Sequence, residues 1–246
     1  QLGNGTTSDS TFPIIVSSLN SMADVDAGGA HSCGVWSSGS VSCWGNNVHG
    51  QLGNGTKNNT SLSPEPVANL TNAVSVSTGR EHTSALDDTG KVWCWGFNDY
   101  GQLGKGPYID GPYPVNSGDI DGAAAVSAGS DHSCAAMRDG RVLCWGLNSS
   151  GQLGDGTLQN TILPTNAEGI YNAVDVSAGD EHTCALLSSG EVKCWGANTY
   201  SQLGAGADGD RSTPVSVPDV HNAISITVGT WHSCAVESSG NITCWG

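Results

Sequence analysis

Lysine and arginine are scarce in this sequence: eight stand against 23 aspartates and glutamates in 246 residues, for a formal charge of -15. The eight (Lys57, Arg80, Lys91, Lys105, Arg138, Arg141, Lys193 and Arg211) are scattered and form no run. A phosphate backbone needs a basic stripe, so nucleic acid is not an expected partner. An acidic membrane surface is disfavoured for the same reason. Long apolar runs are missing too; nothing approaches the roughly 18 residues of a spanning helix, and membrane insertion is not expected. No segment sustains a helical period. The sequence has no C-x-x-C, which would suggest zinc or redox chemistry, and no GxxxxGK[ST] phosphate loop. Neither a metal nor a cofactor is therefore expected.

Glycine, by contrast, is abundant: 35 residues, about twice the usual share of roughly 7%. With ordinary hydrophobic content this indicates many tight turns in an all-β protein. The turns belong to a repeat. Cys-Trp-Gly begins at Cys43, Cys94, Cys144, Cys194 and Cys244, at intervals of 51, 50, 50 and 50 residues. QLGxG keeps the same beat from Gln1, Gln51, Gln102, Gln152 and Gln202. Five units follow, 1–45, 51–96, 102–146, 152–196 and 202–246, in one expected domain spanning 1–246. The chain opens on Gln1 and stops at Gly246, both in mid-motif. The expectation is a piece of something longer, with any signal peptide outside it.

Within a unit the pattern is that of strands. AVSVSTG (73–79), AVDVSAG (173–179) and AISITVG (223–229) alternate apolar with small or polar residues. FPIIV (12–16) and TPVSV (213–217) read as edge strands, where the missing proline N–H is tolerated. In HSCGVWSSGSVSCWG (31–45), Cys33 and Cys43 are symmetric about Ser38. A three-residue loop, Ser37-Ser38-Gly39, then closes on Trp36 and Ser40, with glycine at its left-handed third position. This register sets Cys33 opposite Cys43 and Val35 opposite Val41. The equivalent pairs Leu86/Val92, Ala136/Val142, Leu186/Val192 and Val236/Ile242 are all apolar, so this face is expected to be buried. Sheets this small must stack on their neighbours, radially as a β-propeller or linearly as a solenoid. The phase of the repeat favours the propeller: each unit starts with the proline strand, which can complete the blade of another unit, and the first such strand can close the ring.

GREHTSALDDTGKVWCWGFNDYGQLGKG (79–106) resembles the repeat of the regulator of chromosome condensation (RCC) family, G-x-x-H-[ST]-x-A-L, a glycine hairpin, then V-x-x-W-G-x-N-x-x-G-Q-L-G. The resemblance covers the whole chain, five times over. It implies a β-propeller of four-stranded antiparallel blades, usually seven in the family, so that five repeats make either a closed five-bladed ring or part of a seven-bladed one. The cysteines depart from the nuclear members and resemble secreted bacterial ones. The family's nucleotide-exchange activity depends on an inserted wedge; no unit here is enlarged, so that activity is not carried over. Another relative is a secreted inhibitor that grips an enzyme with loops on one propeller face, which marks the family as mainly a binding scaffold.

Eight of the nine cysteines form pairs ten apart: Cys33/Cys43, Cys134/Cys144, Cys184/Cys194 and Cys234/Cys244. Ser84 replaces the partner of Cys94, which is left as a free thiol. Directly opposed residues in a non-hydrogen-bonded antiparallel pair lie within disulfide range, so four hairpin disulfides are expected, the alternative being four unbridged core pairs. Disulfides of this kind imply an oxidising compartment, extracellular or at the cell surface. N-x-S/T sequons at Asn4, Asn54, Asn58, Asn59, Asn69, Asn148 and Asn241 read first as turn residues.

His31, His82, His132, His182 and His232 recur three residues after a glycine; recurrence in every unit argues for an intrablade bond to backbone and against an axial metal. Trp44, Trp95, Trp145, Trp195 and Trp245 read as packing between blades. Asp119-Ile120-Asp121-Gly122 and Asp208-Gly209-Asp210 fall short of a calcium loop and read as turns. Function is expected where the repeats differ. Trp36, Trp93 and Trp231 have no counterparts, Tyr100 and Tyr200 take a joint position held elsewhere by His49 and Ser150, and Tyr108 and Tyr113 lie in the most divergent connection. Exposed aromatics make good anchors for proteins or sugars. The expected function is a non-catalytic extracellular protein-interaction or structural module. Its partner would be another protein or a cell-surface component, with self-association open. The alternatives are a glycan-binding propeller and an enzyme with a site in the central channel.

Overall fold

The computed structural model describes every residue except Ser17, Asp119 and Ala207. Its alternating segments form five antiparallel sheets. The first consists of β1 (Met22–Ala27), β2 (His31–Trp36), β3 (Val41–Gly45) and β4 (Ser61–Pro66), in that order. The second holds β5 (Ala73–Thr78), β6 (His82–Asp87), β7 (Val92–Gly96) and β8 (Gly111–Asn116). The third runs through β9 (Ala123–Ala128), β10 (His132–Met137), β11 (Val142–Gly146) and β12 (Thr161–Asn166). The fourth has β13 (Ala173–Ala178), β14 (His182–Leu187), β15 (Val192–Gly196) and β16 (Arg211–Ser216). The fifth has β17 (Ala223–Val228), β18 (Ser233–Glu237) and β19 (Ile242–Trp245). Each four-stranded blade therefore takes three strands from one repeat and its proline-bearing outer strand from the next.

The hairpin register is the one read from the sequence. Cys33 faces Cys43 and Val35 faces Val41, and the same pairing recurs in all five blades. Trp36 N–H donates to the Ser40 carbonyl at 2.8 Å, and Gly39 turns the loop at φ 86°. A Cβ at Gly39 would also stand 2.7 Å from the Thr71 carbonyl of the adjoining loop, so side-chain volume is barred as well as the dihedral. Four disulfides join Cys33–Cys43, Cys134–Cys144, Cys184–Cys194 and Cys234–Cys244, each across a Cα separation of 4.1 Å.

The core lies between blades. The cysteines and valines of blade one (Cys33, Val35, Val41, Cys43) pack with Leu52, Val67 and Leu70 against Ala73, Val76, Ala85 and Trp95 of blade two. The same arrangement recurs between the later blades. Burying an aromatic of tryptophan's size removes some 150–250 Å² from water, which makes Trp95, Trp145 and Trp195 the largest single contributors at their junctions.

Two expectations fail at the ends. FPIIV (12–16) forms no strand; Phe12 and Ile15 are 79% and 86% exposed. A strand needs a partner edge, and β19, whose outer edge is the matching one, does not receive it. The fifth sheet thus has three strands among the described residues, and the N-terminal strand does not close a ring. Among the described residues no further blade packs on the fifth, so Ile242 is 70% exposed, whereas its counterparts Val41, Val92, Val142 and Val192 are buried.

Cys94 is buried beside the Ser84 hydroxyl, 3.0 Å from its sulfur, and burial pushes its thiol up to about 11. Alkylation without reductant is therefore expected to leave the native chain unlabelled and to add one label after unfolding. Reduction before unfolding should raise the count to the nine cysteines of the chain. Rapid labelling of the native protein, read by intact mass, would contradict the buried thiol.

Candidate functional site

The repeated polar residues form a buried node at each junction. Gln51 lies in the connection between β3 and β4, and its carbonyl accepts the Trp95 indole N–H at 2.9 Å and the Thr83 hydroxyl at 3.0 Å. Because Thr83 donates to that carbonyl, its oxygen is left to accept Nε2–H of His31, 2.8 Å away in blade one. The chain His–hydroxyl–carbonyl–indole recurs through His82–Ser133–Gln102–Trp145, His132–Thr183–Gln152–Trp195 and His182–Ser233–Gln202–Trp245. The histidine bond expected within a blade and to backbone is instead made between blades and to a side-chain hydroxyl. The reason is that the residue after each histidine, Ser or Thr, points to the preceding blade. His232 is exposed.

Burial holds these imidazoles neutral. It lowers His31 and His182 to about 4 and His82 and His132 to about 3, with neighbouring imidazoles adding to the effect at His82, His132 and His182. Nδ1 of His31, His132 and His182 has no hydrogen-bond partner, so a second proton there would be a buried donor without an acceptor. Four buried neutral histidines cannot serve as general acids near neutral pH, and they are spent on joining blades.

Along the axis the inner strands β1, β5, β9, β13 and β17 line a cavity of about 920 Å³. Its walls are mostly Gly, Ala, Ser, Thr and Val, with Asp24, Asp26, Arg80 and Asp180 as the charged residues. Asp24 and Asp26 accept the Val76 and Thr78 backbone N–H groups of blade two. Arg80 pairs with the buried Asp131 of blade three at 2.8 Å. Asp180 is bonded by the Thr230 hydroxyl of blade five, so all four of these charges are committed to joining blades.

Antiparallel strands put the hairpins at one end of the propeller and the longer connections at the other. The seven aromatics singled out from the sequence divide between them. Trp36 and Trp93 lie at the hairpin end, half-buried, their indoles bonded to Ser42 and to Asp87 at 3.0 and 2.9 Å. Tyr113 sits on the outer strand β8, its ring against Gly55. Tyr100, Tyr108, Tyr200 and Trp231 lie at the connection end, where Tyr200 and Trp231 are in contact. Asp119 lies outside the described residues; Asp210, from the second calcium-like run, accepts the Asn198 N–H at 2.9 Å, as a turn residue does.

At the connection end a joint residue from one blade meets the loop residue before the histidine of the next. The pairs are His49 with Glu81 at 3.6 Å, Ser150 with Glu181 at 3.1 Å, and Tyr200 with Trp231 at a centroid distance of 5.4 Å. This recurrent position carries different chemistry at each junction. His49 also bonds Asp110 at 2.8 Å and meets Phe97 edge-on at 4.7 Å, with Tyr100 beyond. The sequence reading places His49 at the joint position, one phase of the repeat with 100, 150 and 200, but misses its partners Glu81, Phe97 and Asp110, which lie on other segments.

Residues 1–246 match the family model described as the RCC1-like domain. Over 112 residues the chain is 36% identical to human E3 ubiquitin-protein ligase HERC2, a match covering 43% of this chain and 2% of that protein. The structure of human WBSCR16 superposes with a TM-score of 0.83 at 24% identity, covering 92% of this chain and 62% of that one. Yeast RCC1 (Prp20), in a structure with Kap60 bound, superposes at 0.78 with 22% identity, over 89% and 54% of the two chains. The chain thus spans less than two thirds of each of these relatives.

The neutral histidines set a pH dependence. Above about pH 6.5 they are uncharged in both states. Below it the unfolded chain takes up protons that the folded chain refuses until about pH 4 to 3, so stability falls with pH across that window. Each histidine contributes on the order of a few kcal/mol. Urea midpoints measured between pH 7 and pH 5 should fall, and His132→Gln should flatten the slope. A level profile in the parent chain would contradict the neutral, buried imidazoles.

Proposed function

The chain belongs to the RCC1-like domain family, and from that premise we propose that it is a non-catalytic protein-binding module. The observation that carries this reading is the division of labour within the repeat. Residues that recur from unit to unit form the nodes and the core between blades, while the pair of positions that meet across each junction at the connection end changes chemistry from one unit to the next. A scaffold that keeps its joints constant and varies one end is built to present a surface. Yeast RCC1, which this chain resembles in fold, was solved with a protein, Kap60, bound to it. The four hairpin disulfides support an extracellular setting. Against a channel enzyme stands the commitment of Asp24, Asp26 and Arg80 to interblade bonds.

The test compares two surface variants of the whole chain. In one, Tyr100→Ser, Tyr108→Ser and Tyr200→Ser alter the connection end; in the other, Tyr171→Ser alters the hairpin end, where Tyr171 is 75% exposed. Cross-linking to extracellular proteins, read by mass spectrometry, should give a partner set that the first variant loses and the second keeps. Loss in the hairpin-end variant alone, or equal capture by both, would count against the connection end as the binding surface.

A further inference from the structure

Each junction between blades needs two halves, and one unused half stands at either end of the row of blades. On blade five it consists of Cys234, Val236, Ile242 and Cys244, the counterparts of Cys33, Val35, Val41 and Cys43. Those four are buried against blade two, whereas Ile242 is exposed. His232 is exposed as well, although His31, His82, His132 and His182 each bond a hydroxyl of the next blade. The outer edge of β19 carries no strand among the described residues, whereas β3, β7, β11 and β15 each do.

The complementary half lies on blade one. The Gln1 carbonyl accepts the Trp44 indole N–H at 2.6 Å and the Ser32 hydroxyl at 3.3 Å, as the Gln51 carbonyl accepts Trp95 and Thr83. The Ser32 oxygen is thereby left to accept a histidine, and no histidine among the described residues reaches it. Leu2 and Val25 are 43% and 66% exposed, whereas their counterparts Leu52 and Val76 are buried against blade one. Residues 10–15 stand at the repeat phase of β16, with Pro13 matching Pro214, and are exposed.

We infer that blade five of one copy docks on blade one of a second copy of this chain, making between molecules the junction already made within each. Ile242 then packs on Leu2 and Val25, His232 donates Nε2–H to the Ser32 hydroxyl, and residues 10–15 pair with the β19 edge. The register of β15 with β16 sets Ile14 opposite Cys244 and Ile15 opposite Thr243. A second copy is the occupant because this chain supplies every member of the missing half, at the spacing of the internal junctions. Two different surfaces meet, so the contact is head-to-tail and builds a ring or an open helical row of copies, not a two-fold dimer. It lies apart from the connection-end surface of the protein-binding reading and does not rest on it.

The experiment is sedimentation of the whole chain at rising concentration, where the weight-average mass should climb above that of one chain. Both copies carry -15, so added salt should strengthen the contact. Ile242→Lys and Val25→Lys each place a charge on one face, at a position already open to water, and each variant should remain monomeric. Mixed in equal amounts, the two should form a dimer and stop there, because each keeps the face that the other has lost. His232→Ala should weaken the parent's association by about five-fold or more, and Tyr200→Ser should leave it unchanged. A parent that stays monomeric at every concentration would overturn the inference. So would association that survives in either lysine variant, or a mixture that stays monomeric. Partner capture at the connection end is read separately, and its failure would leave this result standing.

Discussion

One hydrogen-bonded chain, imidazole to hydroxyl to main-chain carbonyl with an indole on the same carbonyl, sets the distance between successive blades. At the first three junctions it is buried, so removing any member there leaves polar atoms without partners, at a cost of about 1–3 kcal/mol for each. That constraint explains the monotony of the repeat. Histidine, the serine or threonine after it and tryptophan are parts of a single joint; the glutamine lends it a main-chain carbonyl, and its own side-chain oxygen accepts the backbone N–H of residues 49, 100, 150 and 200. It also explains the glycine three residues before each histidine: at Gly79 and Gly129 a side chain would collide with the imidazole ring.

Local features of the fold were legible in the sequence because their causes are local. The Cys33/Cys43 register follows from a period of two and a left-handed glycine, both inside fifteen residues. The partner of His31 was not legible in the same way, since Thr83 lies 52 residues on. It could have been found by noticing that a hydroxyl follows every histidine at the repeat distance. FPIIV marks another limit. Its residues suit an outer strand as well as those of β16 do, yet strand formation requires an unoccupied edge alongside, and no run of residues encodes where that edge is.

The connection end was legible only in part. Aromatics without counterparts were visible as a set, but their distribution between the two ends depends on strand direction and on which residues find a polar partner. Trp36 and Trp93 turned out to be anchored by Ser42 and Asp87 and half covered, whereas Trp231 stands open beside Tyr200. The same lack of counterpart thus marks residues that complete a hairpin and residues that face outward. The joint position at 49, 100, 150 and 200 separates them better, because its neighbours across the blade boundary are fixed by the node beneath.

The disulfides connect strands that are already neighbours within a hairpin, and none passes from blade to blade. Under a stretching force the two kinds of bond therefore behave differently. Blades separate by breaking hydrogen bonds and apolar contacts, with nothing covalent in the way but the chain itself. Within a blade, the loop between paired cysteines cannot be drawn out, which withholds about 30 Å of contour length. Pulled from its ends, the molecule would lengthen in nearly equal steps. The blade with Ser84 opposite Cys94 would give the longest of them, so a single substitution makes one blade mechanically distinguishable from the other four.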